Sequence, residues 1–326
     1  MTNATGASIE LTNLGATWVS ANMPNRYDVF ENILLGYDHA EGYLKDTYYM
    51  GATVGRFANR IHQASFSIEG TTYLLEKNDG ENTNHGGLSG FHKKIWQWKR
   101  TDSGIRFLLH SPDMKGGYPG NVQAEVEYQF TETNELTISY HGTTDRPTYL
   151  NLTNHAYFNL SGDKRKITEH ELMIPAARIL ETTSQFIPTG QAQDVKDSPF
   201  DFSTCRSIGA HLYDDNEQLH WNKGYNHCYI LKEESSDTLL TAAVLSDPFS
   251  GRRLTVRTYP VSYYIPPAIS LPHRISVYVW RHNTFRIPLR IRIFRPACSC
   301  RGKSIATELF IHSTNDFLSI LHIVPA

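Results

Sequence analysis

The sequence predicts an all-β protein, a large antiparallel β-sandwich. Three observations carry this. Short apolar runs alternate with polar residues at period two, the spacing of strands with one buried face. Glycine, asparagine and proline punctuate those runs at short intervals, as tight turns require. Almost nothing between residues 1 and 257 keeps a helical period over three turns. The 18 Tyr and 15 Phe point the same way, because aromatic side chains favour strands. With 326 residues, 40% of them hydrophobic, the chain can bury a large core.

The elements follow in order. Leu14-Gly-Ala-Thr-Trp-Val19 and Ile33-Leu-Leu35 read as short strands, and Thr53 to Ile61 as an apolar strand carrying Arg60 at its end. Phe66 to Leu75 reads as a hairpin with Glu69-Gly70 at the turn. Asn78 to Gly87 is dominated by Gly and Asn and is expected to be irregular. Ile105 to Ser111 is the next strand. Val122, Ala124, Val126, Tyr128 and Phe130 then alternate with Gln and Glu. Thr131 to Asn134 turns the chain, and Leu136, Ile138 and Tyr140 continue the pattern. Ile174, Ile179-Leu180, Tyr229-Ile-Leu231 and Leu254-Thr-Val256 are further strand candidates.

One stretch stands apart. In Tyr149-Leu-Asn-Leu-Thr-Asn-His-Ala-Tyr-Phe-Asn-Leu160, the residues Leu150, Leu152, Ala156, Phe158 and Leu160 share one face, with Asn154 the exception. Asn151, Thr153, His155, Tyr157 and Asn159 share the other. This polar face either binds a polar ligand or serves neighbouring backbone. His155 is a candidate acid/base, because histidine titrates near pH 6.5. His85 precedes Gly86-Gly87, where absent side chains admit a ligand close to the backbone. Arg60 is either a fixed cation beside a site or a surface arginine.

Composition excludes other classes. A formal charge of −2 gives no global case for nucleic acid or an anionic membrane. No apolar run approaches the roughly 20 residues of a membrane span. The N-terminus has no basic region followed by an apolar one, and four cysteines are too few for a disulfide scaffold, so a cytoplasmic location is expected. The histidines show no metal-ligand spacing, and Cys298-x-Cys300 is too short for a zinc knuckle. No Gly-x-Ser-x-Gly and no Gly-rich loop opening a helix occurs.

The character changes near Thr258. From there on, eight Lys/Arg face two acids, which leaves 31 − 8 = 23 basic and 33 − 2 = 31 acidic residues before it. Gly302 is the lone glycine after Gly251. Residues 1–258 are therefore expected to form the β domain, and 259–326 a divergent segment. That segment is either a variable basic lobe or foreign to the fold.

Several motifs now add up. Gly51-Ala-Thr-Val-Gly-Arg-Phe-Ala-Asn-Arg-Ile61, Asn84-His-Gly-Gly87 with Gly90-Phe91 and Trp96, Gly117-Tyr-Pro-Gly120 and Asn151 to Gly162 resemble the aldose 1-epimerase (galactose mutarotase) family. Pro199-Phe-Asp-Phe202, Gly224-Tyr-Asn-His227 and Ser250-Gly-Arg-Arg-Leu-Thr-Val-Arg-Thr258 continue the pattern in order. The resemblance, over about residues 9–258, implies a large antiparallel sandwich with a free sugar in an open cleft. It implies interconversion of the α and β anomers of a free aldose such as galactose or glucose, with no metal or organic cofactor. It makes His155 the acid that protonates the ring oxygen, and Arg60, Asn84 and His85 ligands of sugar hydroxyls.

Two departures accompany it. Asn226 stands where the family usually has aspartate, which removes a charge and weakens binding. The family's base is a glutamate in a Leu-Glu-x-Gln segment followed by Pro-Asp, and nothing after Thr258 matches it. Glu308 is the sole glutamate there, with the wrong neighbours. An altered reading frame, a retained intron or a gene-model error near codons 250–270 would explain the break. A non-catalytic sugar-binding protein and a hexose-6-phosphate epimerase are the competing expectations.

Overall fold

The alternating strands assemble into antiparallel sheets around one main core. The structure is a computed structural model that describes residues 1–163, 165–231 and 239–258, together with the backbone of two further strands, Phe285–Phe294 and Phe317–Leu318. The largest sheet has nine strands. Its order is Arg206–Ser207, Glu171–Met173, Leu240–Ser246, Arg253–Thr258, Phe285–Phe294, Glu135–Thr144, Val122–Phe130, Gly104–Ser111 and Gln97–Arg100. A three-stranded sheet joins Ser8–Thr12, Thr17–Pro24 and Phe30–Asn32, and a four-stranded one Pro188–Asp194, Arg178–Thr182, Tyr229–Ile230 and Phe317–Leu318.

The register follows the sequence pattern. Val122, Ala124, Val126 and Tyr128 are buried and pair across the sheet with residues of Glu135–Thr144 and Gly104–Ser111. Their apolar face meets Ile9, Trp18, Ala21 and Met23 of the three-stranded sheet and Ile179 and Tyr229 of the four-stranded one in one core. That is the layered arrangement expected of a sandwich. A second cluster, with Phe57, Phe66, Tyr118 and Tyr149, lies under the 65–74 hairpin. That hairpin forms as expected, Ser65–Ile68 against Thr71–Leu74, with φ of 50° at Glu69 and 81° at Gly70. Positive φ at both turn residues is the geometry that matches strand twist. The two described α-helices, Ala40–Leu44 and Glu217–Asn222, are short.

Three expected strands differ in the structure. Ile33-Leu-Leu35 is not a strand; the strand there is Phe30–Asn32, and Leu34 makes an isolated bridge to Phe158. Thr53 to Ile61 is not continuous; it pairs at Thr53–Val54 and again at Arg60–Ile61. Residues 149–160 pair as a strand at Thr153–Asn154 alone, with isolated bridges from Asn151 to Phe57 and from Phe158 to Leu34. Both faces of the latter segment are covered: Leu152, Phe158 and Leu160 are buried, and so are Asn151, His155, Tyr157 and Asn159. The exception on the apolar face has a task. Asn154 donates from Nδ2 to Gly51 O (2.7 Å) and to Tyr128 Oη (3.2 Å), which ties the segment to the core.

The expectation placed on Glu308 lies outside the described residues, as does most of 259–326. Among the described residues no helix is long and apolar enough to cross a membrane.

Candidate active site

The polar side of the 149–160 segment meets two loops. His155 is held through its backbone: its N–H donates to Ala52 O (2.9 Å) and its carbonyl accepts from Gly51 N (2.9 Å). The pairing of Thr153 with Val54 and of Asn154 with Thr53 fixes the register that delivers it. Its ring is buried against His85, centroids 5.0 Å apart and rings at 86°, and against Tyr157 at 5.1 Å.

His85 reaches this position through glycine. Gly86 has φ +85°, and a Cβ on it would sit 1.8 Å from Gly55 O. Only a residue without a side chain lets the 84–87 turn press against Gly55. His85 itself has φ 51°. Its Nδ1 accepts from Asn59 N (3.0 Å), and its own N–H donates to Asn59 O (3.1 Å). A backbone N–H can only donate, so Nδ1 is unprotonated and the neutral ring carries its proton on Nε2. His85 is therefore set as a hydrogen-bond donor at its outer nitrogen.

Arg60 and Asn84 face each other in a two-residue ladder, Arg60 opposite Asn84 and Ile61 opposite Thr83. Arg60 is no ordinary surface arginine: its side chain is 15% exposed, its Nε donates to Asp79 Oδ2 (2.6 Å), and its guanidinium lies 5.0 Å from the Phe186 ring. Asn84 is buried, and its Oδ1 accepts no hydrogen bond among the described residues. A buried acceptor without a donor costs roughly 1–3 kcal/mol, which a ligand hydroxyl would relieve.

Asn226 joins indirectly. Asn59 Nδ2 donates to Cys228 Sγ at 3.9 Å, and Asn226 stands two residues earlier, its own N–H on His227 Nδ1 (3.2 Å). His227 turns into the core, 4.2 Å from Phe200, and burial pulls its pKa down to about 4.

Several residues of the site escaped the sequence reading. Tyr49, at φ 60°, lays its ring 4.6 Å from His85, 4.6 Å from His92 and 5.6 Å from His155. Its hydroxyl pKa is raised, first by burial and then by the Asp79 charge. Asn59, Asn78 and Asp79 hold the loops together. The signal was present for the last two, since Asx residues that open a turn offer acceptors to nearby backbone.

The chain is similar to known proteins along most of its length. The family described as Aldose 1-epimerase matches residues 1–266. The chain is 34% identical over 258 residues to the aldose 1-epimerase of Escherichia coli, covering 79% of this chain and 73% of that protein. It is 36% identical over 252 residues to the galactose mutarotase of Mus musculus, covering 77% and 71%. Among solved structures, an aldose epimerase homologue from C. elegans superposes with a TM-score of 0.71 at 29% identity, covering 78% of this chain and 76% of the other. The galactose 1-epimerase of Lactobacillus acidophilus gives 0.67 at 28%, covering 78% and 73%.

Proposed function

Because this chain belongs to the aldose 1-epimerase family, whose match spans residues 1–266, we propose that it binds a free hexose such as galactose or glucose and interconverts its anomers. The observation that carries this reading is the perpendicular His85–His155 pair beside the Arg60–Asn84 ladder. Opening a pyranose requires a proton on the ring oxygen as the C1–O5 bond breaks, and loss of the C1 hydroxyl proton. His155 supplies the first. The aldehyde then turns about C1–C2 and closes on its other face, and the proton returns to His155. Arg60 and the Nε2–H of His85 donate to sugar hydroxyls, Asn84 Oδ1 accepts from one, and Asn226 offers a neutral amide where a carboxylate would bind more tightly. No metal or organic cofactor enters this scheme. The same proposal puts the enzyme in the cytoplasm and takes residues 1–258 as its sugar-binding domain and 259–326 as a divergent segment.

The second proton transfer is the weak point. Nothing after Thr258 fits the Leu-Glu-x-Gln segment that the resemblance makes the base, so in this reading the C1 hydroxyl proton passes to solvent. General base catalysis contributes roughly 10²–10⁴-fold, and the rate is reduced by about that factor. Polarimetry on fresh α-D-galactose tests this: slow acceleration that disappears in His155→Ala supports the reading. Saturable galactose binding with no acceleration would instead favour a sugar-binding protein without turnover.

A further inference from the structure

The turn at 78–82 hydrogen-bonds both members of the Arg60–Asn84 ladder. We infer that Asn78-Asp79 is the positioning element of this site, holding Arg60, Asn84 and Tyr49 as one unit; the inference rests on the sugar-site reading above. Asp79 Oδ2 takes the Arg60 Nε at 2.6 Å. That bond spends the Nε and leaves the two terminal nitrogens of the guanidinium for a substrate, while Phe186 covers its face. Asn78 clamps Asn84 from both sides: its Oδ1 accepts from Asn84 N (2.6 Å), and its Nδ2 donates to Asn84 O (2.9 Å). The same side chain pulls the Tyr49 hydroxyl pKa down against the rise that burial causes, and the Tyr49 ring packs on His85 and His155.

The dipeptide can hold others because it is itself held. Asn78 N and Asp79 N both donate to Asn82 O, and Asn82 N returns a bond to Asp79 O at 3.0 Å. Asn82 Oδ1 accepts from Gln63 N at 3.0 Å, which anchors the turn to the far side of the Arg60–Ile61 strand. The three positioned groups are thus referred to one rigid turn. Neither Asn78 nor Asp79 is assigned a sugar contact; each acts through the residue it holds.

Galactose titration of the full chain by calorimetry, with a thermal melt of each variant, tests this. Arg60→Ala is expected to weaken binding about tenfold or more, the size of a charged hydrogen bond. Asp79→Ala is expected to weaken it by a similar factor, and the double variant no further than Arg60→Ala alone, because the two act as one. Asn78→Ala is expected to weaken binding in the presence and in the absence of Arg60, since it acts on Asn84 and Tyr49. If Asp79→Ala does not fold, the isosteric Asp79→Asn decides, with a several-fold loss at an unchanged melting temperature. Wild-type affinity in the Asp79 variants, or losses that multiply in the double variant, would overturn the inference while leaving the site reading intact. A wild-type chain that binds no galactose would overturn both.

Discussion

Arg56 and Arg60 stand four residues apart in one motif and have separate tasks. Arg56 is 2% exposed, and its guanidinium donates to Ser111 Oγ and to the carbonyls of Ser111, Pro112, Tyr118 and Pro119. Burial lowers its pKa to about 10, which leaves it charged at neutral pH. It is the clamp that binds the Gly117-Tyr-Pro-Gly120 loop, and so explains why those two motifs occur together. Arg56→Met strands five acceptors, and urea unfolding is expected to show a loss of about 3–5 kcal/mol. Arg60→Ala, by contrast, should change stability little and sugar affinity about tenfold. The sequence could not separate the two, since both are arginines in one apolar setting. What differs is the partner, a loop more than fifty residues away for Arg56 and Asp79 for Arg60. His85 and His155 were legible because histidine is scarce on polar strand faces and stood beside paired glycines; Tyr49 was not, because its role rests on contacts with three rings rather than on any spacing.

Among the elements, the 84–87 turn is the most demanding. Gly86→Ala would combine a positive φ with a clash against Gly55 O at 1.8 Å. The backbone strain alone costs roughly 1–3 kcal/mol, and the displaced turn carries His85 away from His155. A lowered melting temperature together with lost galactose binding is the expected result. Gly70→Ala is the matched control: φ is +81° there too, but nothing lies within 4 Å of the added carbon, so binding is expected to persist. Hairpin 65–74 and strands 104–144 were legible because alternation and turn residues agree there. Residues 149–160 alternate just as clearly yet form little ladder, because an extended chain keeps period two whether or not a neighbour pairs with it. Here loops cover both faces, and the alternation records two different buried environments.

The whole molecule should be sensitive to acid. Burial lowers the pKa of His92 to about 4, with Lys93 and Lys94 adding to the effect, and burial alone brings His227 to the same value. Unfolded histidine titrates near 6.5. Between those values the unfolded chain binds more protons than the folded one, so stability is intact above pH 6.5 and falls as pH drops towards 4. Each group contributes on the order of 3 kcal/mol across that window. Melting temperature measured from pH 7 to pH 4 is expected to fall, and His227→Phe, which keeps an aromatic ring against Phe200, to flatten part of the decline. A level profile would contradict the buried neutral histidines. At this scale the antiparallel fold and its single main core were readable from alternation alone. The end of the family match at residue 266 was foreshadowed by the loss of glycine and the change of charge after Thr258. The pairing of Phe285–Phe294 between Arg253–Thr258 and Glu135–Thr144 was passed over, although Phe285, Ile287, Leu289, Ile291 and Ile293 alternate there with Arg286, Pro288, Arg290 and Arg292, the period-two signature of a strand.

The proposed sugar site joins His155, Arg60, Asn84 and His85. Galactose titration of the intact chain tests it most directly. Saturable one-to-one binding is expected, weakened about tenfold in Arg60→Ala and nearly unchanged in His155→Ala, whose loss falls on turnover. No saturable binding, or equal affinity in Arg60→Ala, would contradict it.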